Sequence, residues 1–342
     1  MKTRLFDSII REPRLMAKYY LPFCFAKKVN RMVFKADGRF PHGGMFDRLK
    51  GAISVYAAAQ CVGREFKISF TQPFDLRDYL EPNEYDWTIE EDVLVKGWPA
   101  ARPIFMYGEF ANPVRLVKKR SCESHFYYGY NSLDWLNERY GKNFEFGALY
   151  KQLFKPTDRL QKYIDMYKAE IGSKYIVAHF RFMNLIGDST EFKEINPTLP
   201  EDKQDELIAK SLEQLRRLEN SDFDLDSDFD PDTNSNFYSE IEMKENGQSQ
   251  SRFRIMLCTD SARFVSIVKE QMPDVYVVPG EIKHIGTAED NSDASTIKMF
   301  LDYYLIAEAE KVYNFVSKGM WKSAFPEYAA KIGQKLFERK FY

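Results

Sequence analysis

Cysteine and histidine are scarce, four of each in 342 residues, and no Cys-x-x-Cys pair occurs. Neither residue type shows a spacing that reads as a zinc site, so a metal-knit framework is excluded and no metal ligands are assigned. Cys24, Cys61, Cys122 and Cys258 read as reduced structural thiols, as expected for a cytoplasmic chain. Long apolar runs are absent too: Arg11, Arg14 and Lys18 interrupt the N-terminal candidates, which removes a signal peptide or transmembrane helix from consideration. With Lys+Arg 49 against Asp+Glu 51, the net charge of −2 lacks the basic excess of a nucleic-acid binder. What remains is an ordinary globular composition, 44% apolar and 29% charged, long enough for two domains.

Charge is unevenly spread. Residues 1–50 hold 12 Lys+Arg against 4 Asp+Glu, whereas 219–245 hold one Lys against ten acidic residues. The basic arm, with Lys27-Lys28 and the apolar Tyr19-Tyr-Leu-Pro-Phe-Cys-Phe25, is a candidate for peripheral contact with an anionic membrane, against the plainer reading of a partly buried entry segment. The acidic stretch, nearly free of aliphatic residues, is expected to be an insertion at about 220–250. Asp224, Asp226 and Asp228 lack the glycine and glutamate of a calcium loop.

Hydrophobic periodicity alternates between strand and helix. Gly43-Gly44 precedes a helix over 52–61, followed by strands at 66–70, 92–96 and 103–107. From about 165 the alternation restarts: strand 175–180, helix 201–217, strand 253–258, helix 261–270, strand 275–278, helix 294–310, strand 312–316 and a last helix from about 322. This predicts an α/β protein with two mostly parallel sheets, an N-terminal domain over 1–165 and a C-terminal one over 166–342, with the working site between them.

In such sheets ligands sit beyond the carboxyl ends of the strands. His179 and Arg181 end the strand Tyr175-Ile-Val-Ala-His-Phe-Arg181. Arg181 must be paired there, either with phosphate oxygens, which its fork fits, or with a carboxylate. His179 is either a ligand contact or a packed core residue. Thr259-Asp260-Ser261 ends another strand and opens a helix, a pattern that plain capping also satisfies. Asp293 and Ser323 stand at further helix starts, and Gly43-Gly44 with Asp47-Arg48 at a fourth, where backbone N–H groups attract oxyanions.

The order of these blocks resembles the GDP-fucose-dependent fucosyltransferases. The loop Gly43-Gly-Met-Phe-Asp-Arg-Leu-Lys-Gly51 resembles their glycine loop, His179-Phe-Arg181 their His-x-Arg motif and Thr259-Asp260 their Thr-Asp step. Asp293, Phe300-Leu-Asp-Tyr-Tyr-Leu305, Val312-Tyr-Asn-Phe-Val-Ser317 and Ser323-Ala-Phe325 resemble their last βα unit. One departure stands out: Phe182-Met-Asn-Leu-Ile replaces the usual second arginine before Gly187-Asp188.

The resemblance implies a GT-B-like architecture of two Rossmann-like domains facing each other across a cleft. It implies an inverting, metal-independent transfer of fucose from GDP-fucose to a glycan hydroxyl, with GDP-fucose as substrate and no other cofactor. Arg181 would meet the β-phosphate; His179 and Asp293 would hold guanosine, with Asp260 and Ser323 assisting. Gly43, Gly44, Arg48, Thr259, Ala324 and Phe325 complete the donor contacts implied. The catalytic base is open among Asp47, Asp188 and Glu191. Two alternatives remain: a non-catalytic nucleotide- or glycan-binding protein, motivated by the missing arginine, and a transferase using another nucleotide sugar.

Overall fold

A computed structural model describes residues 10, 12–21, 28–40, 42–106, 111–172, 174–188, 196–220, 253–280 and 292–342. Most of the acidic segment, and Glu191 with it, lies outside the described residues.

The first half builds a four-stranded sheet in the order β2-β1-β5-β4, every pairing parallel. Its strands are β1 (Arg31–Ala36), β2 (Glu65–Phe70), β4 (Ala101–Met106) and β5 (Glu123–Tyr128). Helix α1 (Met45–Val62) connects β1 to β2. It is buried on nearly all sides, which its alanine-rich, almost uniformly apolar sequence permits. Gly63, at φ 62, ends it by donating to the carbonyls of Ala59 and Gln60. Gly51 is required by close approach: a Cβ there would lie 2.0 Å from the Tyr128 carbonyl oxygen.

Outside this sheet, β3 (Leu80–Pro82) and β6 (Phe154–Pro156) form a small antiparallel pair. Helices α2 (Val114–Val117) and α3 (Leu133–Tyr140) pack on α1, while α4 (Phe146–Leu153) and α5 (Asp158–Ile171), the last capped by Thr157, flank the pair.

The second half builds the sheet β10-β9-β7-β8, again all parallel. Its strands are β7 (Tyr175–Phe180), β8 (Arg254–Thr259), β9 (Lys311–Val316) and β10 (Leu336–Phe341). Helices α6 (Glu201–Asn220), α7 (Ala262–Gln271), α8 (Asp293–Glu308) and α9 (Phe325–Gly333) surround it. The fold is thus the expected α/β with two parallel sheets.

The halves share a core. Phe46 of α1 packs edge-on against Tyr303 of α8 and Phe325 of α9, with centroids at 4.4 and 4.6 Å. Phe146 of α4 meets Tyr328 of α9 at 4.6 Å. Helices α4 and α9 touch backbone to backbone, since a Cβ on Gly147 would sit 2.1 Å from the Lys331 carbonyl oxygen.

Two expected strands differ. Residues 91–94 form turns, and Val95 N–H donates to Glu123 Oε1 at 2.9 Å instead of joining a ladder. The 275–278 segment contributes a single bridge, Tyr276 to Met256, so the sheet ends at β8. The strands β1, β5 and β10 carry charged residues that hid their periodicity. In the entry segment Tyr20 is 1% exposed and its hydroxyl bonds His125 Nδ1 at 2.6 Å. That part of the proposed membrane-facing patch is therefore in the core; residues 22–27 lie outside the described ones.

Candidate active site

Parallel strands all end on one edge, so the loops leaving β7, β8 and β9 converge. His179 is the penultimate residue of β7, 6% exposed. Its Nδ1 lies 3.3 Å from Oδ1 of Asn314 in β9, and its ring stacks at 6.1 Å on Phe325. Asn314 in turn donates from Nδ2 to the Ser323 carbonyl at 3.0 Å. With Asn314 accepting, Nδ1 carries the proton and Nε2 is the acceptor. Burial, with Arg181 as the second cause, pulls His179 down to about 3, so it is neutral at physiological pH.

Arg181 follows β7 directly, and its carbonyl accepts from Trp321 N–H at 3.3 Å, which ties it to the loop carrying Ser323. Its Nη1 stands 3.2 Å from Oδ2 of Asp260, the pair being 16% and 8% exposed. Carboxylate pairing is therefore present. Asp260 also accepts from Phe182 N–H at 2.8 Å and Met183 N–H at 2.7 Å, fixing the turn after β7 onto β8. Burial pushes the Asp260 carboxyl up, opposed by Arg181 and the backbone donors. This pair holds a partly exposed guanidinium at the strand edge.

The rest of the Thr259-Asp260-Ser261 step is a cap. Ser261 Oγ accepts from Phe264 N–H at 2.9 Å, and Thr259 Oγ1 accepts from Ser261 N–H at 3.3 Å. Asp188 joins it: its Oδ2 accepts from Ser261 Oγ at 2.6 Å and Arg263 N–H at 2.9 Å. The carboxylate considered as a base thus closes the N-terminus of α7, where the helix dipole favours it. After β9, Ser323 Oγ accepts from Phe325 N–H at 3.2 Å, and Ala324 is the N-cap of α9.

Asp293 opens α8 but turns toward the first half of the chain. Its Oδ1 accepts from Tyr79 Oη at 2.8 Å and its Oδ2 pairs with Arg159. Arg159, then Tyr79, holds this half-exposed carboxyl below its usual range. Its present role is a tie between the halves.

On the first half, a cavity of about 220 Å³ opens beside the glycine loop, lined by Gly43, Asp47, Lys50, Tyr128, Gly129 and Tyr130 among others. Asp47 and Lys50 pair at 2.8 Å, one turn apart on α1. Lys50 also sits 5.4 Å over the ring of Tyr328 in α9, so the cavity borders the second half. Gly44 is the N-cap of α1. Arg48 does not face a ligand: it is 6% exposed, donating to the Gly43 carbonyl at 3.0 Å and the Gln72 carbonyl at 2.5 Å. Burial lowers it to about 10, and it serves as the internal brace of the glycine loop. Phe46 and Phe325 connect the cavity wall to His179.

Sequence reasoning missed Asn314, Lys50 and His42. Lys50 was legible as the i+3 partner of Asp47 on a helix. Asn314, in a strand of apolar neighbours, carried the signal of a buried polar group needing partners. His42, lowered to about 4 by burial and Arg48, lines the cavity through tertiary placement alone.

Among the described residues, no three His, Cys, Asp or Glu side chains cluster as metal ligands, and no helix is long and apolar enough to cross a membrane.

No family model matches the chain, and no curated protein matches its sequence. Solved structures do match its fold. NodZ α-1,6-fucosyltransferase co-crystallized with GDP aligns with 16% identity over 89% of this chain and 92% of its own, with a TM-score of 0.52. NodZ soaked with GDP-fucose aligns at 17% over 89% and 93%, TM-score 0.52. The NodZ fucosyltransferase structure from Bradyrhizobium gives 16% over 89% and 92%, TM-score 0.51. Over 89% of its length, this chain has the GT-B-like α/β fold of those enzymes.

Proposed function

We propose that this protein is a metal-independent, inverting glycosyltransferase that moves fucose from GDP-fucose to a hydroxyl of a glycan acceptor. The observation that carries the reading is Arg181, held by Asp260 at the carboxyl end of β7, beside His179, Asn314 and the Ser323 turn. A guanidinium so placed suits a diphosphate whose charge grows as the sugar departs, and a contact that strengthens toward the transition state accelerates the reaction. The fold likeness to NodZ, crystallised with GDP and GDP-fucose, supports the choice of donor.

His179, neutral and ordered, offers a lone pair to the nucleotide's N–H or O–H donors. Asp293 is suited to guanine, accepting N1–H and N2–H once it exchanges Arg159 or Tyr79 for the base. Of the candidate carboxylates, Asp47 is the best placed to take the acceptor proton: it is half-exposed, lines the cavity and is oriented by its pair with Lys50. Asp188 is occupied by its cap, and Glu191 lies outside the described residues.

Calorimetry with GDP, UDP and ADP, followed by GDP-fucose turnover against a glycan panel with and without chelator, tests the proposal. Preference for GDP, chelator-resistant transfer and an inverted anomeric centre by NMR are expected. UDP preference defeats the choice of donor. A second reading, a nucleotide-binding module without turnover, is favoured by the engagement of Asp188 and Asp293 in structural bonds; GDP binding without hydrolysis or transfer would establish it.

A further inference from the structure

We propose that β10, the outer strand of the second sheet, is a docking edge for a second copy of this chain, the two strands pairing antiparallel about a two-fold axis. The sheet order leaves β10 bonded to β9 alone. Other edges carry partners: on β4, Phe105 N–H donates to Glu12 Oε2 at 3.4 Å and its carbonyl accepts from Arg115 Nη1 at 2.6 Å. Trp87 O accepts from Ile68 N–H of β2 at 2.8 Å, and Tyr276 exchanges two backbone bonds of 2.8 Å with Ile255 and Leu257 of β8. Among the described residues nothing bonds the outer backbone edge of β10. The strand is half-exposed along its length, with Leu336 at 52% and Phe341 at 63%. An open edge with apolar residues is a template for another strand.

The sequence of the strand says which one. Side chains alternate faces. Phe337, Arg339 and Phe341 share the α9 face: Arg339 pairs with Glu327 at 3.2 Å, and Lys322 lies 5.2 Å over the Phe341 ring. Glu338 and Lys340 share the other, beside Lys311 and Tyr313. Two antiparallel copies with the axis through Arg339 place Phe337 opposite Phe341 and Glu338 opposite Lys340, each pair occurring twice. Aromatic and opposite-charge cross-strand pairs are the stabilising kinds. Only Arg339 meets its own copy, and Glu327 in each chain offsets that repulsion. Shifting the register by two residues sets Glu338 against Glu338 and removes the aromatic partner of Phe341. A strand complementary to itself in one register fits an isologous dimer.

Size-exclusion chromatography with light scattering over about a thousandfold dilution tests this. The wild type should dimerise, and Glu338→Lys or Lys340→Glu alone should weaken dimerisation on the order of tenfold or more. Mixing the two variants should restore it, because one chain then carries two lysines and the other two glutamates on the facing edge. Phe341→Ser, at a site too exposed to affect folding, should also weaken the dimer. A wild type monomeric throughout, single variants that dimerise unchanged, or a mixture of folded variants that stays monomeric would each overturn the proposal.

Discussion

Replacing Arg181 by alanine separates its two roles. The variant leaves Asp260 as a carboxylate 8% exposed, still holding the Phe182 and Met183 N–H groups but without its cation. Breaking a buried pair costs about 3–5 kcal/mol. The retained backbone donors, and the partial exposure of Arg181, bring this to about 2–3 kcal/mol. With about 2.1 cal/mol/K of unfolding entropy per residue over 342 residues, the midpoint should fall by roughly 3–4 °C. Independently, loss of a charge contact to the diphosphate should weaken GDP binding by about ten- to a hundredfold and slow transfer by on the order of 10²-fold or more. Differential scanning fluorimetry gives the first quantity; calorimetry and donor turnover, below the transition, give the others. A stability loss of this size with unchanged GDP affinity and turnover would refute the phosphate role and leave Arg181 as the partner of Asp260 only.

Asp47→Asn should lower the transfer rate by about 10²-fold while GDP affinity stays within about twofold, as read by initial rates beside calorimetry. His179 is depressed to about 3 against 6.5 for the free residue. The unfolded chain binds a proton first, so stability is complete above about pH 6.5 and declines as pH falls toward 3, by up to about 1.4 kcal/mol per pH unit. Urea unfolding between pH 7 and 4 should show that slope shrinking in His179→Asn. Gly147→Ala should destabilise by about 1–3 kcal/mol by forcing α4 from α9, seen as a lower urea midpoint. Asp293→Asn should weaken GDP about tenfold and leave UDP unchanged; equal loss for both would make Asp293 a tie between the halves alone.

The strands bearing His179 and Cys258 were readable because both are short apolar runs punctuated by polar residues, as doubly covered parallel strands must be. β1 and β5 were not. Arg31, Lys35, Glu123 and His125 break the apolar pattern, yet all are buried, because Arg31 Nε reaches Glu123 Oε2 at 2.8 Å and Lys35 reaches Asp37 at 3.2 Å. Asp37 stands two residues from Lys35, but the partner that lets Arg31 enter the core comes from a strand 92 residues away, and no local window contains it.

The same division holds at the site. Chain order alone determined the alternation of strand and helix, the parallel sheets, and the polar residues at the ends of β7 and β8, since periodicity and capping act over a few neighbouring residues. Only the tertiary structure decided that Arg181 pairs with Asp260, that Arg48 braces its own loop, that Asp188 caps α7 and that Asp293 is tied to Tyr79 and Arg159. Which donor meets which acceptor depends on where the chain returns after many residues, and that is settled by packing.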